Sequence, residues 1–388
     1  MPASGRLRLL RHVDCFHQGL VAPGPEEDLW LLNGVNHYCT YFDRRYALSG
    51  LALWLSLRRQ DPAAVLWVLA LDDETAVALC ELGEPDLRVV PLADLEQADP
   101  GLAAARGDRT WVEYVFTLSP CWPRVLLTRQ PEIEVLTYVD ADMAFFASPA
   151  PLFAELGAND VLIVEHRFPE FLRPLESRGR FNVGVLCFRN SSGGRACLDD
   201  WRRQCLEWCH DRVEPDRYAD QKYLDAWPAK VARLVVCRHP GVNLAPWNWM
   251  NHTYAFPDNA VKVDGAPLVI FHFARFRPIG PVRADSGQLE YGVMPLRLRS
   301  RIYGRYWQLL AEAGGRLKAV APALGSPASV ARGRRAVWKT RILEIIFGST
   351  WWRMGDWWVS GGFGLGRHSG RALVWWRRWL ASRGSNRP

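Results

Sequence analysis

The sequence predicts an α/β domain, a mostly parallel sheet flanked by helices, followed by a basic, Trp-rich C-terminal extension of helical character. Three observations carry this. Short runs rich in Val, Leu and Ile alternate with helical patterns from about residue 35 to about residue 275. Several of these runs are continuously apolar, as expected of strands buried on both faces. Charge is unevenly placed: residues 328–388 hold twelve Arg or Lys against two acids, and 8 of the 19 Trp. The whole chain carries +7, so residues 1–327 are mildly acidic. The basic character belongs to the tail, which suggests an anionic partner for the tail alone.

The elements follow in order. Residues 35–41 read as a strand and 46–59 as a helix with Leu48, Leu51, Ala52 and Leu55 on one face. Residues 64–70 are an apolar run, 74–81 a helix and 87–92 a strand. Residues 110–127 read as helical but interrupted at Pro120 and Pro123. Strands are predicted at 134–139, 161–164 and 183–188, helices at 199–209 and 219–227, and closing strands at 231–236 and 268–273. Residues 301–313 give one more helix, and 319–329, rich in Ala, Pro, Gly and Ser, a linker. The expected organisation is an N-terminal segment (1–30), the α/β domain (31–300), a helix and linker (301–327) and the tail (328–388).

With 388 residues, 49% hydrophobic and 23% charged, the composition excludes disordered and fibrous classes. No apolar run reaches the roughly 20 residues of a membrane-crossing helix. The first residues are basic without an apolar signal-peptide core. Nine cysteines without framework spacing read as free thiols in a reducing compartment, so a cytoplasmic location is expected. Cys205 and Cys209, beside His210, read as core residues of one helix face.

The sharpest feature is Tyr138-Val139-Asp140-Ala141-Asp142 at the end of an apolar strand. Side chains two apart share a face in extended backbone, so Asp140 and Asp142 can converge on one cation. Hard oxygen donors suit Mn²⁺ or Mg²⁺ holding a diphosphate. Asp-x-Asp alone is also an ordinary turn, but the apolar flanks, ending in Phe145-Phe146, make two unpartnered charges costly here. Further along, Phe181-Asn182-Val183-Gly184 opens a strand with a polar residue and a Gly that marks close approach. Asp220-Gln221 stands at a helix start, where an acid also suits the macrodipole. Phe271-His272-Phe273 delivers a His at a strand end, followed by Arg275 and Arg277, residue types that bind phosphate in a fork.

In this order the pieces resemble the GT-A nucleotide-sugar glycosyltransferases, on the side of glycosyltransferase family eight and its bacterial relatives. The carrying residues are Thr40-Tyr41 with Tyr46, Tyr138-Val139-Asp140-Ala141-Asp142, Phe181-Asn182-Val183-Gly184-Val185-Leu186, Asp220-Gln221, Asn243-Leu244-Ala245-Pro246-Trp247-Asn248 and His272-Phe273. The resemblance covers about residues 35–280. It implies a GT-A, Rossmann-like fold and transfer of a sugar, with retention, from a nucleotide-diphosphate donor (UDP-sugar in first place) to a glycan or lipid-linked acceptor. It implies that Asp140, Asp142 and His272 bind a divalent metal, Mn²⁺ before Mg²⁺. Thr40, Tyr41 and Tyr46 would lie near the nucleotide. Asn182 and Asp220 would hold sugar hydroxyls, and Gln221 would sit beside the anomeric carbon. The chain departs from the family where Arg275 replaces a Gly after the metal-binding His and Arg277 stands in for a phosphate-binding Lys. Thr117 occupies the place of a family Arg.

Two other readings compete. A haloacid-dehalogenase-type phosphatase also uses Asp-x-Asp, but wants Thr or Val where this chain has Ala144, and places the motif nearer the N-terminus. A non-catalytic transferase-like module would bind a membrane surface. In the tail, residues 332–346 and 371–380 interleave basic and apolar residues at helical spacing, with Trp351-Trp352 and Trp357-Trp358 between them. These are expected either to hold the chain at an anionic membrane, on its cytoplasmic face, or to pack back on the domain. No nucleic-acid partner is expected, since no recognisable nucleic-acid module surrounds the Trp pairs.

Overall fold

A computed structural model of the chain describes residues 34–280, 283–325, 350–354 and 357–360. The first strands are β1 (His37–Phe42), β2 (Val65–Ala70), β3 (Leu87–Pro91), β4 (Val135–Val139), β5 (Met143–Phe145), β6 (Val161–Glu165), β7 (Phe181–Arg189) and β8 (Leu234–Val236). All but β5 form one sheet in the order β3-β2-β1-β4-β7-β6-β8. Strands β3, β2, β1 and β4 are mutually parallel, as are β6 and β8. Strand β7 runs antiparallel to both neighbours. The predicted mostly parallel α/β sheet is therefore present, with one reversed strand that turns its first residues toward the C-terminal ends of β4 and β6.

Helices α1 (Ala47–Gln60), α2 (Asp73–Glu81), α3 (Leu92–Ala98), α4 (Pro100–Ala105), α5 (Trp111–Arg129), α6 (Ala150–Leu156), α7 (Ser192–Glu207), the single turn α8 (Trp227–Lys230) and α9 (Leu296–Val320) complete the layers. The Asp72 side chain caps α2 by accepting from Thr75 N at 2.8 Å. A capping box, Thr110 with Glu113, starts α5. The sheet separates two apolar cores. One joins Tyr38, Leu51, Trp54 and Phe145 to Tyr303 and Leu310 of α9. The other joins Leu118 and Trp122 of α5 to Trp201 of α7 and Phe188 of β7.

Three helical expectations are corrected. Helix α5 runs through both prolines for 19 residues. Each Pro forfeits a hydrogen bond at about 3 kcal/mol, but burial of Tyr114, Leu118, Trp122 and Leu126 on one face is worth about 1.5–3 kcal/mol per side chain. Helix α9 extends beyond 301–313 at both ends, because Leu298, Ile302, Leu309 and Leu317 continue the buried stripe past Gly304 and Gly314; its last turn takes in Ala319 and Val320 of the expected linker. No helix starts at 219. Ala219 has φ of 46°, outside the right-handed region, and only a 3₁₀ turn over Lys222–Ala226 and the short α8 follow.

Three short strands, β9 (Tyr254–Ala255), β10 (Lys262–Val263) and β11 (Ala266–Pro267), make a small antiparallel sheet. Strand β12 (Ile270–His272) pairs antiparallel with β5, His272 opposite Met143. Finally β13 (Arg277–Gly280), β14 (Arg283–Asp285), β15 (Thr350–Met354) and β16 (Trp357–Ser360) form an antiparallel ribbon. In it Trp351 of the tail pairs with Ala284 of the domain, so the two Trp pairs lie in strands joined to the domain by backbone pairing. The predicted tail helices, 332–346 and 371–380, lie outside the described residues. Among the described residues no helix is long and apolar enough to cross a membrane.

Candidate active site

The sheet's strand order reverses between β1 and β4, and ligands of open α/β sheets bind outside the strand ends at such a point. Strand β4 ends there, and Asp140 follows it directly. The backbone N–H of Asp140 donates to Gly184 O at 3.0 Å, and Phe273 N donates to Asp142 O at 2.8 Å. These bonds tie the Asp-x-Asp turn to β7 on one side and to the end of β12 on the other.

The pairing of β5 with β12 brings His272 to the two carboxylates. Its Nε2 lies 3.1 Å from Asp142 Oδ1 and 3.8 Å from Asp140 Oδ2. One ligand atom from each of the three residues falls within 4.8 Å of the others. Tyr138 donates its hydroxyl to Asp140 Oδ1 at 2.8 Å. Burial pushes the Asp140 carboxyl above the usual carboxylate range; the His272 ring opposes this and the Asp142 charge adds to it. Burial alone would lower His272, but Asp142 and Asp140 together raise it above its ordinary value. His272 Nδ1 is buried with no hydrogen-bond partner among the described residues. Two repelling carboxylates and a strand-end imidazole on one small volume fit a divalent cation.

A cavity of about 740 Å³ opens beside this cluster, and Asn182, Asp220, Gln221, His272 and Arg275 all line it. Asn182 enters at the start of β7, and its Oδ1 accepts from Gly184 N at 3.1 Å. The left-handed Ala219 turns Asp220 and Gln221 toward the same space. Gln221 Nε2 donates to Arg178 O at 3.0 Å, which leaves its carbonyl oxygen as the uncommitted end. Arg275 has φ of 63°, the left-handed conformation that favours glycine. Its guanidinium pairs with Glu290 at the cavity wall.

The remaining expected residues stand elsewhere. Thr40 is fully buried in the sheet, and its Oγ1 has no partner among the described residues. Tyr41 points its hydroxyl at Ser119 Oγ, 2.8 Å away, and Ser119 in turn hydrogen-bonds Asp220. Tyr41 therefore supports Asp220 from behind. Tyr46 is half-exposed, within electrostatic reach of Asp142 and Arg277. Arg277 lies on β13 and pairs with Asp285 at 3.3 Å. Neither Tyr46 nor Arg277 lines the cavity. Thr117 is buried in α5 and bonds back to Glu113 O at 2.9 Å.

No protein-family model matches the chain. It is 30% identical over 248 residues to the uncharacterized protein YfnF of Bacillus subtilis strain 168, covering 62% of this chain and 81% of that protein. The chain belongs to the YfnF family. The uncharacterized protein YfnD of the same strain is 29% identical over 243 residues, covering 62% of the chain and 78% of YfnD. Among solved structures the chain is similar to the galactosyltransferase LgtC in complex with donor and acceptor sugar analogs: 15% identity, TM-score 0.42, covering 71% of this chain and 95% of that one.

Sequence reasoning missed several residues of this YfnF-family site. His166, Phe168 and Tyr291 line the cavity, and Trp247, quoted only as part of a motif, stands between them, 5.4 Å from His166 and 5.8 Å from Tyr291 between ring centroids. The available signal was position: His166 directly follows β6, as Asp140 follows β4.

Asp220 gives a pH prediction. Burial pushes its carboxyl up to about 7, against the Ser119 hydrogen bond and with help from the Asp140 charge. A raised carboxyl pKa means that the native state holds the proton more tightly than the unfolded chain. Its contribution to stability is thus fully present below about pH 4 and is lost as pH rises toward 7. In metal-free protein, Asp220→Asn should match wild type at pH 4 and exceed it at pH 8 by up to about 4 kcal/mol. Urea unfolding at the two pH values measures this; an equal gap at both pH values would contradict the assignment.

Proposed function

We propose that the chain is a metal-dependent glycosyltransferase of the GT-A type that moves a sugar, with retention, from a nucleotide-diphosphate donor to a glycan or lipid-linked acceptor. The observation that supports it most is the Asp140, Asp142 and His272 cluster at the strand-order reversal, opening onto a cavity that Asn182, Asp220 and Gln221 also line. The catalytic unit would be residues 31–300, braced by the helix and linker of 301–327 and followed by the tail of 328–388.

Asp140, Asp142 and His272 would hold the cation, Mn²⁺ before Mg²⁺. Bound there, a divalent ion offsets the charge that develops on a departing diphosphate. Arg275, once parted from Glu290, supplies a fork of donors for the same oxygens, and Arg277, within electrostatic reach of Tyr46, would meet the donor farther out. Asn182 and Asp220 hold sugar hydroxyls and set the ring's orientation. Gln221 turns its free carbonyl oxygen to the anomeric carbon, where oxocarbenium charge grows. Phe168, Trp247 and Tyr291 present ring faces and edges that suit a sugar acceptor and exclude water from the reacting atoms.

The direct test is a thermal-shift screen with UDP-, GDP- and ADP-sugars, with and without Mn²⁺. One base should raise Tm only when Mn²⁺ is present, because a ligand of the native state alone adds stability as its concentration exceeds Kd. No shift with any donor would contradict the reading. For Gln221, an interaction that grows in the transition state lowers kcat on removal. Gln221→Ala should therefore reduce kcat by roughly 10²-fold with little change in donor KM, and a change confined to KM would make Gln221 a binding residue only.

The same reading places the chain in the cytoplasm, at the inner membrane face near a lipid-linked acceptor, with the basic tail on anionic lipid. Liposome co-sedimentation of the full chain and of a chain ending at Gly325 tests this. The full chain should pellet with anionic but not neutral lipid and the shorter one should not; both remaining in the supernatant would remove the membrane from the account.

A further inference from the structure

His166 follows β6 and reaches the cavity beside Asn182. Three contacts determine where its protons are. Gly184 N donates to Asn182 Oδ1 at 3.1 Å. A backbone N–H can only donate, so that end of the amide is the oxygen, and the nitrogen end faces His166. Asn182 Nδ2 lies 3.3 Å from His166 Nε2. An amide nitrogen has only donors, so Nε2 must accept and carries no proton. The proton of the neutral ring is then on Nδ1, which lies 3.2 Å from Arg180 O, a group that can only accept. Packing clamps the ring as well. It stacks on Phe168 at 4.6 Å between centroids with planes 8° apart. Trp247 Nε1 donates to the His166 carbonyl oxygen at 2.9 Å.

We infer that His166, held as the Nδ1–H tautomer, is a positioning residue that locks the Asn182 amide in one orientation toward the donor sugar. The inference rests on the reading of Asn182 as a sugar contact. With one amide hydrogen committed to His166 and one oxygen lone pair to Gly184, Asn182 offers the cavity one donor and one acceptor in fixed places. Without His166 the amide loses the partner that distinguishes its two ends. A sugar hydroxyl then meets a mixture of orientations, and the contact weakens.

Two measurements on the full chain test this. The first is histidine ¹⁵N NMR near pH 7, with the His166 signals identified by their loss in His166→Gln. The expected pattern has Nδ1 protonated and Nε2 bare, the reverse of an unconstrained histidine; a ring protonated on Nε2 overturns the inference alone. The second is donor kinetics. Gln at 166 can place a carbonyl oxygen near the lost Nε2, whereas Asn reaches only the Nδ1 position. His166→Asn should lower donor kcat/KM about tenfold, the value of one hydrogen bond, and His166→Gln should restore most of it. Binding of the nucleoside diphosphate alone, with Mn²⁺, should stay unchanged in both. Equal losses in the two variants, or a parallel loss of nucleoside-diphosphate binding, would mean a general packing role and overturn the inference. In an Asn182→Ala background His166→Asn should add nothing. If Asn182→Ala itself leaves donor kcat/KM intact, the sugar-contact reading fails and the assigned role falls with it, even with the tautomer as expected.

Discussion

Replacing Asp142 with alanine should abolish metal-dependent donor binding while leaving the metal-free protein folded. Asp142 contributes one of only two carboxylates in the cluster, and its Oδ1 is 3.1 Å from His272 Nε2. Changes to groups that merely support a metal ligand cost about 10–100-fold in affinity, and losing a ligand costs more. Stability moves differently. Without a cation Asp140 and Asp142 repel, and burial already pushes Asp140 above the usual carboxylate range. Removing Asp142 relieves that repulsion but deprives His272 of the carboxylate that most favours its charged form. The two effects oppose, so metal-free Asp142→Ala should stay within about 1 kcal/mol of wild type. The metal-dependent rise in Tm should vanish. Calorimetric titration with Mn²⁺ and urea unfolding, run on both proteins, separate affinity from folding. Wild-type Mn²⁺ affinity in the variant would remove Asp142 from the site.

Gly184→Ala should damage fold and site together. Gly184 lies in β7 directly behind the cluster. A methyl group there would overlap the Met143 side chain and come within 2.6 Å of Asn182 Oδ1 and 3.0 Å of His272 Nδ1. Met143 is unbranched and can move. Asn182 and His272 are fixed by their own strands and must shift. Overpacking of this kind costs about 1–3 kcal/mol, and the displaced His272 should weaken Mn²⁺ binding at least tenfold. Gly304→Ala is the control. It lies inside α9 with nothing within 4 Å of the added carbon, so alanine there should add roughly 0.5–1 kcal/mol through helix propensity. If Gly184→Ala behaved like Gly304→Ala in both Tm and metal affinity, the close packing behind the cluster would be refuted.

Asp140, Asp142 and His272 were legible in the sequence because the two carboxylates follow one apolar strand and His272 ends another, where an isolated polar residue needs a reason. The central strands were legible for the same cause: continuous Val, Leu and Ile runs of strand length have few other uses. Other features depend on tertiary contacts that no local pattern carries. The prolines of α5 look like breaks until Trp201 and Phe188 are seen across the core from Trp122. The backbone at Ala219 and Arg275 is left-handed, and neither residue type signals it. Tyr41 sits beside the motif residues in sequence, yet strand geometry sends its hydroxyl to Ser119. His166 was hidden because a His after an apolar run is more often a satisfied core residue; only its contacts with Asn182 and Arg180 mark it.

Transfer chemistry on a nucleotide-sugar is tested by release of nucleoside diphosphate from the donor that the thermal-shift screen selects. With Mn²⁺ and no acceptor, water can take the acceptor's place, and the full chain should release nucleoside diphosphate and free sugar slowly. EDTA or Asp142→Ala should stop it. Metal-independent release, or release of inorganic phosphate from simple phosphoesters with none from any nucleotide-sugar, would contradict the account.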